Sequence, residues 1–215
     1  MKKIAKRKNP IEVARTVFLR KFPEAKVAFI AGSVIRGDAT DYSDIDMVVV
    51  FDRVDRAHRE SFVADDWPVE VFVHDPDTLE YFFQEAIEKD GIPSLVQMVS
   101  EGIVLPTETF ISKQIKEHAN QILAAGPKPL MDEEIYQRRY GISDLVDDLR
   151  APRSREEAIA SGVRIYQELA DFYLRTNGAW TSRGKWIPRT LQSANPKFAR
   201  EFEIALRRNA FFAKG

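Results

Sequence analysis

The feature that most constrains how this 215-residue chain can fold is a change of period near its middle. Before about residue 108, short β-branched apolar runs alternate with helical stretches. After it the apolar spacing is helical almost throughout. The runs are Lys26–Ala31 (KVAFIA), Asp44–Phe51 (DIDMVVVF) and Val69–Val73 (VEVFV), each bounded by turn residues and read as strands. Asn9-Pro10 predicts a helix start, with Asn as N-cap, running to about Lys21. Asp75-Pro76 predicts another, to about Lys89, and Pro93–Ser100 a third, followed by a small strand at Ile103–Leu105. The charged stretch 53–66 reads as a short helix and a loop. Helices are then expected over 109–124, 132–149, 155–176 and 196–212. Gly126-Pro127-Lys128-Pro129 and Ala151-Pro152 break them, and Ser154 with Glu157 forms a capping box. The chain is thus expected to hold a small domain of strands and helices over 1–108 and an all-helical bundle over 109–215.

Composition narrows the chemistry. There is no cysteine, which excludes disulfides, thiolate metal sites, iron–sulfur clusters and a cysteine nucleophile. The three histidines, His58, His74 and His118, are far apart in sequence and suggest no zinc site. No apolar run approaches the roughly 20 residues of a membrane span. The basic start MKKIAKRKNP lacks the apolar core of a signal peptide, so a cytoplasmic location is expected. Net charge is only −1, but residues 1–112 carry 14 Lys/Arg against 20 Asp/Glu, and residues 113–215 carry 18 against 13. An acidic half beside a basic half suits a site that handles metal ions and phosphate; it also suits two ordinary solvated surfaces.

The informative segment runs from Gly32 to Asp46, GSVIRGDATDYSDID. Asp44 and Asp46 are two apart on a predicted strand, so both carboxylates point to one face while Ile45 points to the other. Two such carboxylates repel unless a cation lies between them, and oxygen ligands alone suit a hard ion such as Mg²⁺. Glu70 interrupts an otherwise apolar strand and needs a partner. If its strand neighbours Asp44–Phe51, the three acids could hold two metal ions. Gly32-Ser33 closes one strand and opens a short helix. Its glycine allows close backbone approach, its amides and the Ser33 hydroxyl can donate to phosphate, and Arg36 adds positive charge. Taken singly, a Gly-Ser turn, a pair of aspartates and an edge-strand glutamate each have a plainer structural reading. Their joint spacing is what points to chemistry.

The segment resembles the signature of the DNA-polymerase-β-like nucleotidyltransferases, G-S-x-x-R-G-x-x-x-x-x-S-D-[IL]-D. Gly32, Ser33, Arg36, Gly37, Ser43, Asp44, Ile45 and Asp46 all match. The resemblance covers residues 26–74 and is closest to the small antibiotic-modifying and minimal members. It implies an α+β fold with a small mixed sheet flanked by helices. It also implies Mg²⁺, in two ions, and a nucleoside triphosphate such as ATP bound by Asp44 and Asp46, with Glu70 as third acid. The Gly32-Ser33 turn would hold the β- and γ-phosphates, with Arg36 and Ser43 in the same motif. The implied reaction transfers a nucleoside monophosphate to a hydroxyl and releases pyrophosphate.

The helical half is similar to that of kanamycin-type aminoglycoside nucleotidyltransferases, whose first long bundle helix supplies a glutamate base. Here Asp147 falls at that place, with Asp144 one turn earlier; a solvated helix face is the alternative. Lys185 and Arg189 flank Trp186 in GKWIPR and could reach the triphosphate, or mark a surface loop anchored by the Trp. The acceptor is expected between the two domains. Three functions stay open. One is transfer to a small hydroxylated acceptor of aminoglycoside type, hence antibiotic resistance. The others are modification of a partner protein in a toxin–antitoxin pair, and a non-catalytic nucleotide-binding module. The intact acid set weighs against the last. No basic, aromatic-interleaved surface suggests templated nucleic acid, and a homodimer stays open.

Overall fold

The computed structural model describes residues 7–209, with side chains through Ala205. The basic stretch 1–6 and the predicted end of the last helix, 210–212, lie outside the described residues. The chain forms two compact units. One comprises the chain to Glu85 with Ser94–Ala125; the other comprises Ala86–Pro93 with the chain from Gly126 onward.

The first unit contains α1 (Pro10–Lys21), β1 (Val27–Ala31), α2 (Ser33–Arg36), β2 (Ile45–Val50), β3 (His58–Ala64), β4 (Trp67–His74), α3 (Pro76–Glu85), α4 (Ser94–Glu101), β5 (Ile103–Leu105) and α5 (Phe110–Ala125). It is an α+β arrangement around one mixed sheet, ordered β3-β4-β2-β1-β5, in which β2 and β4 run parallel and every other neighbour is antiparallel. At the start of α1 the Asn9 side chain accepts the Ile11 N–H at 2.9 Å, and Pro10 occupies the first turn, where no donor is needed.

Strand alternation sorts the sheet into two faces. Ala28 and Ile30 of β1, Ile45, Met47 and Val49 of β2, and Val69, Val71 and Val73 of β4 are buried against Val13, Ala14, Val17 and Phe18 of α1. Each valine, isoleucine, methionine or phenylalanine among them contributes roughly 1.5–3 kcal/mol of burial. The intervening residues form the other face. Phe29 pairs with Val48 and Ala31 with Asp46 across β1 and β2, and Asp46 pairs with Glu70 across β2 and β4. The end of α4 comes close to β1 on that face. A Cβ on Gly102 would stand 2.6 Å from the Met98 carbonyl oxygen and 2.8 Å from the Phe29 Cβ, so only glycine fits there.

Two local expectations are corrected. The stretch read as a short helix and a loop over 53–66 contains β3. In HRESFVA, Phe62 and Ala64 pack toward the α1 core, whereas Arg59, Ser61 and Val63 alternate to the opposite face. Asp65 and Asp66, with φ of 46° and 64°, form the two-residue turn into β4, a left-handed geometry that matches strand twist. The charge of an edge strand masked its period. The helix expected to reach Lys89 ends at Glu85, and Ala86–Asp90 continues as a single π-helical turn.

The second unit contains α6 (Asp132–Arg150), α7 (Arg155–Thr176), α8 (Ile187–Ala194) and α9 (Pro196–Asn209). The Ser154 hydroxyl accepts the Glu157 N–H at 3.2 Å, capping α7. GKWIPR, for which a surface loop is one reading, is helical from Ile187, because Pro188 sits harmlessly in the first turn of α8 while Ile187 and Leu191 are buried. Those two pack with Ala170, Leu174 and Phe202, and the rings of Tyr173 and Phe198 stack 3.4 Å apart. Arg175 of α7 is buried. It donates to the Lys128 carbonyl at 3.0 Å and the Lys89 carbonyl at 3.4 Å, so it fastens both Ala86–Pro93 and the Gly126 segment to α7. Among the described residues no helix is long and apolar enough to cross a membrane.

Candidate active site

β1 delivers the chain to Gly32, which has φ of +83°, a region that favours glycine. A Cβ there would lie 2.2 Å from the Asp46 Oδ2, so glycine is required twice over, by conformation and by space. α2 is a single turn, too short for a substantial helix dipole; what it offers is local backbone and side-chain donors. The Ser33 hydroxyl donates to the Ser43 Oγ at 3.0 Å, and Ser43 Oγ also accepts the Thr40 N–H at 2.8 Å. Ser43 thus closes the Thr40–Ser43 turn and sets where Asp44 begins. Asp44 lies immediately before β2 rather than on it, and Asp46 is the second residue of the strand.

Asp44, Asp46 and Glu70 converge. Each can offer a carboxylate oxygen so that the three lie within 4.8 Å of one another, and all three groups are half-buried. The parallel register places Asp46 beside Glu70, which is why acids 24 positions apart in sequence meet. Burial, followed by the charges of Asp44 and Glu70, pushes the Asp46 carboxyl up to about 6; Arg36 and Arg59 act in the opposite direction. Three converging carboxylates with no nitrogen or sulfur donor fit a hard divalent cation, whose charge would relieve that repulsion. Asp44, Asp46 and Glu70 are the residues that could hold it.

Two side chains missed in the sequence belong to this place. Arg59 of β3 pairs with Glu70, and its guanidinium lies 5.6 Å from the centre of the Phe72 ring. Only recognition of the period-2 pattern in HRESFVA could have put Arg59 on the acid-bearing face. Glu101, the last residue of α4, accepts from the Arg36 guanidinium at 2.5 Å and from the Gly32 N–H at 3.3 Å. No local sequence signal identifies it.

The first unit therefore gathers Gly32, Ser33, Arg36, Ser43, Asp44, Asp46 and Glu70. Asp147, Lys185 and Arg189 belong to the second unit. Asp147 is exposed on α6 and pairs with Arg150 at 2.9 Å. Lys185 is exposed in the turn before α8, and the Arg189 guanidinium lies 4.8 Å from the centre of the Trp186 ring.

A family model described as a nucleotidyltransferase domain matches residues 11–122, which include all of the sheet and the acid cluster. The chain belongs to this family, within the DNA-polymerase-β-like superfamily. No curated protein matches. Among solved structures, the chain is similar to a nucleotidyltransferase-like protein from Exiguobacterium sibiricum, at 15% identity and a TM-score of 0.42. The match covers 89% of this chain and 65% of that one, so the chain spans less than two thirds of that relative's length.

Proposed function

We propose that this protein is a Mg²⁺-dependent nucleotidyltransferase that moves a nucleoside monophosphate from a nucleoside triphosphate, ATP in the first instance, to a hydroxyl of a small acceptor. The convergence of Asp44, Asp46 and Glu70 beside the Gly32-Ser33 turn carries the reading. In the reaction, the acceptor oxygen forms a bond to the α-phosphorus as the bond to pyrophosphate breaks. A pair of Mg²⁺ ions held by the three acids would neutralise phosphate charge and favour the deprotonated nucleophile. The Gly32 N–H, the amides after it and the Ser33 hydroxyl, once it turns away from the Ser43 Oγ, donate to the β- and γ-phosphate oxygens, and Arg36 adds charge. Glu70 or Asp147 accepts the hydroxyl proton. Lys185 and Arg189 contact the triphosphate or the departing pyrophosphate.

The all-helical part is assigned the acceptor, in the class of aminoglycosides. Its support is chemical: Tyr136, Tyr140, Asp144 and Asp147 recur at three- and four-residue spacing along α6 and are all exposed. Aromatic rings and carboxylates together suit a cationic polyol. The test is Mg²⁺-dependent transfer of label from the α-phosphate of each nucleoside triphosphate, with aminoglycosides and other hydroxylated compounds as acceptors and Asp46→Asn as control. Label on a small molecule supports the reading. Label on a protein band would replace the acceptor class, and failure to bind nucleotide would overturn the reading altogether.

A further inference from the structure

The donors assigned to phosphate are engaged by the protein itself. The Glu101 carboxylate accepts from the Arg36 guanidinium at 2.5 Å and from the Gly32 N–H at 3.3 Å through the same oxygen, Oε1. An oxygen anion thus already bridges a cation and a backbone amide at the end of β1. The bridge is built by packing: glycine at 102 lets the end of α4 close on Phe29 and the Ile30 carbonyl, which carries the preceding residue to Gly32, 69 positions away. Both side chains are about 30% accessible, 31% for Arg36 and 29% for Glu101, so the carboxylate can swing into solvent without crossing the core.

We propose that Glu101 is an internal stand-in for a phosphate group, and that a nucleoside triphosphate must displace it from Gly32 and Arg36 to bind. The inference rests on the assignment of those donors to the triphosphate. It gives Glu101 a defined role: it sets nucleotide affinity by competition. A carboxylate and a phosphate oxygen compete for the same N–H donors, and if both stay near Arg36 their charges repel. The empty cradle keeps a satisfied guanidinium and amide, at the cost of weaker nucleotide binding. The alternative role, in which Glu101 merely orients Arg36 toward the nucleotide, predicts the opposite sign when its charge is removed.

The experiment is ATP binding by calorimetry on the full chain, wild type against Glu101→Gln, with adenosine as a probe that lacks phosphate. Glutamine keeps the shape and can still accept the Gly32 N–H. Glu101→Gln is expected to bind ATP about fivefold more tightly, the scale of a partly exposed ion pair, with adenosine binding unchanged. In an Arg36→Ala background the same substitution should gain less. Unchanged or weaker ATP binding by Glu101→Gln, with wild-type ATP binding intact, overturns the stand-in while leaving the proposed function standing. Absence of ATP binding in the wild type overturns both. If Glu101→Gln fails to fold, Glu101→Asp serves: it keeps the charge but shortens the reach, and tighter ATP binding is again expected, with equal or weaker binding overturning the proposal.

Discussion

The two faces of the sheet are built from alternate residues of the same strands and do opposite things. On the α1 face, Ile30, Ile45, Met47, Val49, Val69 and Val71 are essentially inaccessible and pack as a continuous apolar layer. On the other face, the positions between them include Asp46 and Glu70, with Arg59 and Ser61 on the neighbouring strand. One face is apolar along its length; the other buries Phe29 and Val48 equally well but accumulates like charge at Asp46 and Glu70, at an energetic cost. The lesson is that the acids are held rigidly because their immediate neighbours are locked in the core. A strand fixed through Ile45 and Met47 leaves Asp46 little freedom to retreat from Asp44 and Glu70.

That division can be broken on either side. Asp46→Asn carries the largest expected effect: transfer should fall on the order of 10³-fold or more, with an intact fold by circular dichroism. Transfer at the wild-type rate would remove Asp46 from the reaction. Ile30→Ala, on the α1 face, should cost about 2–4 kcal/mol in denaturant unfolding through loss of burial and an unfilled cavity. Its transfer rate per folded molecule should stay at the wild-type level; a large loss of rate would show that the two faces are not separable.

Acidity sharpens the comparison. The Asp46 carboxyl is raised from its ordinary 3.8 to about 6 in the folded protein, chiefly by burial. Protonation is therefore favoured by folding, and its contribution to stability is full below 3.8 and lost as pH rises through 6. Without divalent cations, Asp46→Asn should be more stable than the wild type well above pH 6, by roughly 3 kcal/mol. The difference should shrink as pH falls from 6 toward 4. Thermal unfolding in chelator across that range measures it, and a gap independent of pH would refute the account. The smallest effect belongs to the rim. Glu60, which pairs with Lys21 at 2.8 Å on the α1 side, should cost less than about 1 kcal/mol when replaced by alanine. A loss of several kcal/mol would mark that edge as part of the core.

Much of this architecture is legible in the chain, where local rules and tertiary packing agree. Asn9-Pro10 marks the start of α1, Ser154 the start of α7, and VEVFV shows where an acid interrupts an apolar strand. Asp44, Asp46 and Gly32 are legible together because their spacing ties them to the entry of β2, its second residue and one turn. β3 was not legible as a strand: five of the seven residues in HRESFVA are charged, polar or small, and only its pairing with β4 reveals the period. α8 is absent from the expected helices because Gly184–Arg189 draws attention to its cations and Trp186; burial of Ile187 and Leu191 is what reveals the helix. Glu101 is one of 33 acidic residues, and its importance comes from a contact that chain packing makes and spacing does not encode.

The fastening of Ala86–Pro93 by Arg175 also bears on how the protein emerges from the ribosome. Its carbonyls at Ile87, Lys89 and Gly91 accept from Lys128, Arg175 and Thr181, the last of which is translated far later. At about 5–20 residues per second, the roughly 90 residues between Gly91 and Thr181 take about 5–20 s to appear. The sheet and its acid cluster can be assembled once β5 at Ile103–Leu105 has appeared, early in that interval, while a short peptide between α3 and α4 still awaits its partners. A translational pause placed between Ala125 and Thr181 would lengthen that wait without delaying the sheet itself.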